Sequence, residues 1–313
     1  MRAGFVSIIG RPNAGKSTLL NALIGQKVAI VTHKPQTTRN RILGILNLRA
    51  KKGVPAAQIV LVDTPGVHKP DSQLNRRMMQ EVYDALASRD LTLLIVDATQ
   101  KFGTGDQFTL DAVKNAGGPV FLLLNKVDVV HKQKLLPVMA DWSQRHEFQE
   151  IIPISAKKKE GLETLIGKIA NALPNGQPFF PQDQITDQPE RFLAAEIIRE
   201  KVLMHTAEEV PYAAAVRVEQ WEEKEKVTRI AAAIFVERDG QKKIVVGRAG
   251  EMIKRIGTTA RIDIEKLLGV KVFLELFVKV QPDWRQSRGF VDDLDWRKQL
   301  QDLGSLEEEP VDE

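Results

Sequence analysis

The sequence predicts an α/β domain on a mostly parallel sheet with flanking helices, followed by a smaller α+β domain of α-β-β-α-α-β order. Three observations carry that prediction. Up to Leu173 the chain repeats a short apolar run, a polar turn and a helical stretch, and the runs "FVSIIG", "IVLVDTPG", "LTLLIVDAT", "VFLLLNKVD" and "IIPISA" are apolar nearly throughout. Strands covered on both faces read this way, whereas half-exposed strands alternate. Next, "PNGQPFFPQDQITDQP" sets four prolines between Pro174 and Pro189, a composition that suits a linker. Beyond it, "ERFLAAEIIREKVLMHT" has helical spacing, and "AAAVRVEQ" and "VTRIAAAIFVE" flank the charged turn "WEEKEK". A glycine turn, the helical "EMIKRIGTTARIDIEKLLG" and a last strand "VKVFLELFVKV" complete the order. The expected division is 1–173, a linker over 174–189, a second domain over 190–288 and an acidic tail over 289–313.

Bulk properties narrow the class. At 313 residues, 43% hydrophobic and 27% charged, the chain can build two cores. It has no cysteine, which excludes disulfides and thiolate zinc sites, and its five histidines show no ligand spacing. "FVSII" is too short for a signal peptide, and no run approaches the roughly 20 apolar residues of a membrane span. A cytoplasmic protein is expected. The net charge of +4 is unevenly spread. From Gln241 to Arg288, 11 Lys/Arg face 5 Asp/Glu, a balance of +6; from Gly289 to Glu313, 2 face 9, a balance of −7. A basic segment of this kind suits a polyanion.

The first element places chemistry at the carboxyl edge of the sheet. "GRPNAGKST" (Gly10–Thr18) fits G-x-x-x-x-G-K-[ST] between an apolar strand and the helical "LLNALIG". Backbone N–H groups from Gly10, Asn13, Ala14, Gly15 and Thr18 would wrap nucleotide phosphates. Lys16 would meet the β- and γ-phosphates, and the Ser17 hydroxyl would ligate Mg²⁺. "DTPG" (Asp63–Gly66) closes the next run. Asp63 can hold Mg²⁺ through water, and Gly66 can offer its N–H to the γ-phosphate.

"NKVD" (Asn125–Asp128) ends the fourth run and selects the base. Guanine presents N1–H and N2–H₂ side by side, and the two oxygens of Asp128 accept both. Adenine has an acceptor at N1 and lacks the N2 amino group, so it leaves the carboxylate unpaired. The Lys126 stem can lie on the base, and Asn125 can brace neighbouring loops. "SAK" (Ser155, Ala156, Lys157) follows the fifth run, where a backbone N–H can reach guanine O6.

These four elements in this order resemble the translation-factor-related GTPases, over the whole first domain. The resemblance implies GTP and GDP as ligands with Mg²⁺, and a threonine after the first helix that closes over the metal. "KPQTTRNR" supplies it: the role carries to Thr38, with Thr37 as the alternative. Val67 stands where the best-known members carry the glutamine that orients the attacking water, and valine has no hydrogen-bonding group. Slow intrinsic turnover is expected. An asparagine at the Asn13 position is associated in the family with a K⁺ ion beside the phosphates. The other reading is that Asn13 only satisfies its own turn.

"VVGRAGEMIKRIG" (Val245–Gly257) is a second glycine turn, without the lysine–hydroxyl pair that holds a Mg²⁺-triphosphate. It resembles the V-I-G-x-x-G-x-x-I pattern of KH domains, with Gly247, Arg248, Ala249 and Gly250 as the loop. Such loops clamp the backbone of about four unpaired nucleotides. Lys254, Arg255 and Lys271 are the expected cations of the approach, and Ile253 and Ile256 would hold the helix to the sheet. A GTPase domain with one C-terminal KH domain resembles the Era family of ribosome-assembly GTPases, to about Arg288. That resemblance implies binding near the 3′ end of small-subunit ribosomal RNA in a pre-30S-type particle, loose peripheral membrane association and a monomer. "NLRAKKGVPAAQ" (47–58) reads as a lengthened hairpin tip, and the tail as solvated or as a competitor for the basic KH face. Two other classes stay open: a P-loop metabolic NTPase or kinase, and an RNA-binding module with a merely structural nucleotide site.

Overall fold

Strands that are apolar on both faces need helices on both sides, and the chain supplies them. The structure, a computed structural model, describes residues 1–68, 70–207 and 209–298. It divides into two units, Met1–Pro70 with Arg77–Asp187, and Asp71–Arg76 with the chain from Gln188 onward. The first part of the chain runs β1 (Arg2–Ile9), α1 (Lys16–Ile24), β2 (Ile42–Leu48), β3 (Ala57–Asp63), α2 (Gln73–Ala87), β4 (Leu91–Asp97) and α3 (Thr104–Ala116). It continues through β5 (Val120–Asn125), α4 (Lys132–Ser143), β6 (Glu150–Pro153) and α5 (Leu162–Ala172). The sheet order is β2-β3-β1-β4-β5-β6, parallel except for β2 against β3.

Alternate residues of each strand enter two different cores. Ile8, Ile59, Leu93 and Leu123 pack with Leu19 and Leu20 of α1 and Leu165 and Ile169 of α5. Ile9, Leu94, Val96 and Leu122 pack on the other face with Val82 of α2, Leu110 of α3 and Trp142 of α4. Each such fully buried side chain contributes about 1.5–3 kcal/mol of transfer free energy. The parallel arrangement brings the ends of β1, β3, β4 and β5 to one edge, where the motif residues stand.

β2 has no counterpart among the five predicted runs. "ILGILNL" is apolar, but it returns antiparallel as the edge strand of a hairpin, so the strand–turn–helix repeat does not reveal it. The lengthened segment 49–56 is the tip of that hairpin, closed by a Lys51–Val54 bridge. The proline-rich linker is firmly seated on the same hairpin. The fully buried Gln58 accepts the N–H groups of Phe179 (2.6 Å) and Phe180 (3.0 Å) and donates to the Phe180 carbonyl (2.8 Å). Ile45 N–H donates to the Ile185 carbonyl at 2.9 Å.

The second unit is built from α6 (Glu190–His205), α7 (Val210–Ala213), β7 (Ala215–Lys224), β8 (Val227–Val236), α8 (Asp239–Val246), α9 (Glu251–Leu268), β9 (Lys271–Val280) and α10 (Arg288–Asp293). Its sheet is β7-β8-β9, antiparallel then parallel. Ile198, Ile234, Val245, Ile256, Ala260 and Ile264 form the core. The structure departs from the sequence-based expectation at two places. The charged "WEEK" belongs to β7 and the turn is only Glu225–Lys226, because an exposed strand end tolerates charge. The predicted tail also begins as packed structure: Phe290 meets Phe235 at 5.0 Å, Val291 is buried, and Trp296 lies 6.2 Å from Phe192. Charge counting overlooked the apolar residues interleaved with the acids. Residues 299–313 of that tail lie outside the described residues.

Candidate functional site

Gly10–Thr18 turns sharply from β1 into α1. Asn13 and Gly15 take left-handed backbone with φ of 63° and 106°. A Cβ on Gly15 would lie 2.2 Å from Asn125 Nδ2, so only glycine fits there. Lys16 is buried, and its Nζ donates to the carbonyls of Gly10 (3.0 Å) and Arg11 (2.9 Å). Burial lowers its pKa to about 8, with the Asp63 charge acting in the opposite sense. A desolvated ammonium of this kind favours an anionic ligand. Thr18 follows in the first turn of α1.

Asp63 at the end of β3 is its counterpart. Burial raises its carboxyl to about 6, against the pull of Lys16 and of hydrogen bonds from Ser17 and Thr38. Ser17 Oγ donates to Asp63 Oδ2 at 2.6 Å, and the Ser17 and Thr38 hydroxyls are 2.8 Å apart. Asp63 Oδ1 is buried without a hydrogen-bond partner. One carboxylate with an orphaned oxygen beside two hydroxyls suits Mg²⁺, which takes its remaining ligands from phosphate and water. Thr37 is engaged elsewhere, donating to the Lys34 carbonyl at 2.7 Å, so Thr38 is the threonine at this point. Asn13 Nδ2 donates to the His33 carbonyl at 3.0 Å, tying the phosphate loop to the loop that carries both threonines.

Gly66 crosses directly over Pro12; a Cβ there would lie 2.8 Å from the Pro12 nitrogen. Val67 does not face the cleft. It is 2% exposed, in the core between the sheet and α2.

On the base side, buried Asn125 joins two motifs to its own. Its Nδ2 donates to the Ala14 carbonyl at 2.8 Å, and its Oδ1 accepts the Ala156 N–H at 3.0 Å. Exposed Asp128 accepts the Ser155 hydroxyl at 2.7 Å through one oxygen, and Lys157 is exposed beside them. Lys126, with φ of 68°, donates to Asp97 Oδ2 at 2.6 Å. Burial pushes the Asp97 carboxyl up, but hydrogen bonds from Lys126 and Thr99 prevail and hold it below the ordinary range. Sequence reasoning missed Asp97. Its signal was present, since "LTLLIVD" ends in a carboxylate at the same edge as Asp63 and Asn125.

The second glycine turn lies between α8 and α9. Gly247, Ala249 and Gly250 have φ of 75°, 50° and 80°. A Cβ on Gly247 would lie 2.8 Å from the Met252 nitrogen, whereas Gly250 has open space around it. Arg248 and Ala249 are exposed. A groove of about 450 Å³ runs between α9 and β9, lined by Ile253, Lys254, Gly257, Arg261, Leu274 and Leu276 among others. Ile256 is fully buried, while Ile253 faces the groove. Of the expected cations only Lys254 lines it. The Arg255 charge acts on His205 of α6, and Lys271 lies 3.7 Å from Glu265. Arg261, seven residues after Lys254 and so on the same helix face, was missed.

Residues 5–126 match the family of 50S ribosome-binding GTPases, and residues 209–285 match the KH domain family. The chain is 51% identical over 295 residues to the GTPase Era of Geobacter metallireducens, covering 94% of this chain and 97% of that protein. The chain belongs to the Era family of GTPases. The Era of Syntrophus aciditrophicus is 48% identical over 91% of this chain and 92% of its own. Two solved Era structures share the fold, each with a TM-score of 0.89 and 40% identity, over 93% of this chain and 98% of theirs. One is an Aquifex aeolicus Era variant bound to GDP·AlF4⁻; the other is Era with MgGDPNP and nucleotides 1506–1542 of 16S ribosomal RNA. As an Era-family member this chain is a GTPase with a P-loop domain and a KH domain, and it hydrolyses GTP to GDP and phosphate.

Proposed function

We propose that this GTPase is a nucleotide-operated switch that grips single-stranded small-subunit ribosomal RNA and assists maturation of a pre-30S-type particle. The supporting observation is the Asn125 bridge, which ties the phosphate loop, the guanine motif and the Ser155–Lys157 turn together. The nucleotide-binding domain covers 1–173, the linker 174–189, and the KH domain begins at 190. Lys16 exchanges the Gly10 and Arg11 carbonyls for the β- and γ-phosphates, which the N–H groups of Gly10, Asn13, Ala14, Gly15, Thr18 and Gly66 surround. Ser17, Thr38 and Asp63 hold Mg²⁺, which neutralises phosphate charge when bound.

Asp128 accepts guanine N1–H and N2–H₂, and the Lys126 stem covers the ring. Because the Ala156 N–H is donated to Asn125, the Lys157 N–H is the donor left for guanine O6. With Val67 in the core, no side-chain amide orients the attacking water at that position, and intrinsic turnover is slow. A K⁺ ion held beside Asn13 would supply the compensating charge.

Gly247–Gly250 holds the sugar–phosphate chain of about four nucleotides. Arg248, Lys254, Arg255 and Lys271 supply positive charge. The Era structure with nucleotides 1506–1542 of 16S ribosomal RNA supports the 3′ region as target. The protein acts as a cytoplasmic monomer with loose attachment to the inner face of the membrane; among the described residues no helix is long and apolar enough to cross it. Calorimetric titration with GTP and ATP, and anisotropy with an oligonucleotide of the 16S 3′ sequence, test the reading. GTP and the oligonucleotide bind; a preference for ATP, or indifference between that oligonucleotide and a scrambled one, overturns it.

A further inference from the structure

Two carboxylates outside every motif hold the cations of two motifs. Asp106, in the first turn of α3, is 7% exposed; its Oδ2 accepts Arg11 Nη1 at 2.8 Å and the Gly103 N–H at 3.0 Å. Arg11 belongs to the phosphate loop, and its carbonyl accepts Lys16 Nζ at 2.9 Å. Gly105 leaves room for the guanidinium, since a Cβ there would lie 2.7 Å from Arg11 Nε. Asp97 holds Lys126 at 2.6 Å through Oδ2, while its Oδ1 accepts the Thr99 N–H (3.0 Å) and hydroxyl (2.6 Å). Both carboxylates line one chamber of about 210 Å³ behind the phosphate loop. Its wall is braced: Phe102 meets Trp142 edge-on at 5.0 Å, and the Arg145 guanidinium lies 3.7 Å from the Phe102 ring centre.

We infer that Asp97 and Asp106 are positioning residues for the guanine nucleotide, Asp106 acting on the phosphate loop through Arg11 and Asp97 on the guanine clamp through Lys126. The inference rests on the site reading above. A carboxylate that is itself pinned by backbone N–H groups fixes the cation it holds, so the loop enters binding in its bound shape. Neither carboxylate lines the cleft between the phosphate loop and Thr38. Their effect falls on GDP and GTP alike, because both share the diphosphate and the base.

Asp97→Asn, Asp106→Asn and Arg11→Ala test this in the full chain, with fluorescent GDP and GTP analogues and steady-state hydrolysis. Each variant weakens GDP and GTP together by about tenfold, the loss of one charge-assisted hydrogen bond. KM rises more than kcat falls. Reversing the pair, Arg11→Asp with Asp106→Arg, recovers part of the lost affinity. Arg11→Ala leaves the Gly103–Asp106 contact in place, so it reports even where Asp106→Asn fails to fold. Wild-type affinities in the folded variants, whatever their melting temperatures, overturn the inference. Asp128→Asn serves as the control for the site itself. If it shifts preference to xanthine nucleotides while the other variants bind GDP normally, only this inference fails; if it does not, the guanine assignment fails first.

Discussion

The two glycine turns use one backbone device in opposite surroundings. Gly15 and Gly250 both cap a helix in left-handed conformation, with φ of 106° and 80°, at the N-termini of α1 and α9. Around Gly15 the space is closed by Asn125, the following lysine is buried, and a carboxylate and two hydroxyls converge. Around Gly250 the space is open, Arg248 is exposed, and an apolar groove runs alongside. A helix N-terminus offers N–H groups to any phosphate. The enclosure decides which one: a closed cleft with a metal position takes a compact triphosphate, and an open turn lets a polymer pass.

The largest effect is expected at the base. Asp128→Asn should move preference from guanine to xanthine nucleotides by roughly a thousandfold, read by competition binding, and leave RNA affinity alone. Lys16→Ala comes next. Removing the buried ammonium should weaken GTP binding by about a hundredfold or more, measured by calorimetry. At the open turn, Arg248→Asp with Ala249→Asp should weaken oligonucleotide binding by roughly ten- to a hundredfold, with a far smaller change in GTP affinity. Salt sharpens the contrast, since the RNA affinity should fall with a log–log slope of about −0.7 per neutralised phosphate.

The smallest effect concerns pH. Burial holds the Asp63 carboxyl up at about 6 from its ordinary 3.8. The folded, nucleotide-free protein therefore binds that proton more tightly than the unfolded chain. Its stability should rise as pH falls from about 6 towards 3.8. Mg²⁺ needs the carboxylate, so Mg²⁺-dependent GTP affinity should fall over the same step, by about tenfold between pH 7 and pH 5. Melting curves without nucleotide and Mg²⁺ titrations with it read the two opposite signs.

Local pattern carried much of the fold into view. The five runs of continuous apolar residues are the five parallel strands, because burial on both faces writes itself directly into composition. β2 escaped since an antiparallel edge strand obeys no strand–helix repeat. The contact between Phe290 and Phe235 escaped because charge totals hide interleaved aromatics. At the cleft, the motif residues were legible as types at spacings. Asp97 with Lys126, Asp106 with Arg11 and Gln58 with the linker were not, because those partners are separated by 29, 95 and 122 residues and only the fold joins them. On α9 the basic residues divide by helix face, which residue type does not reveal: Arg261 shares the groove face with Lys254, while the Arg255 charge acts on His205.

The most direct test is a binding matrix of wild type, Lys16→Ala and the Arg248→Asp/Ala249→Asp pair against GTP and, with no nucleotide present, the 16S 3′ oligonucleotide. The lysine variant should lose nucleotide and keep RNA, and the paired variant should do the reverse. One variant losing both ligands, with its fold intact by melting temperature, would contradict the assignment of each turn to its own anion.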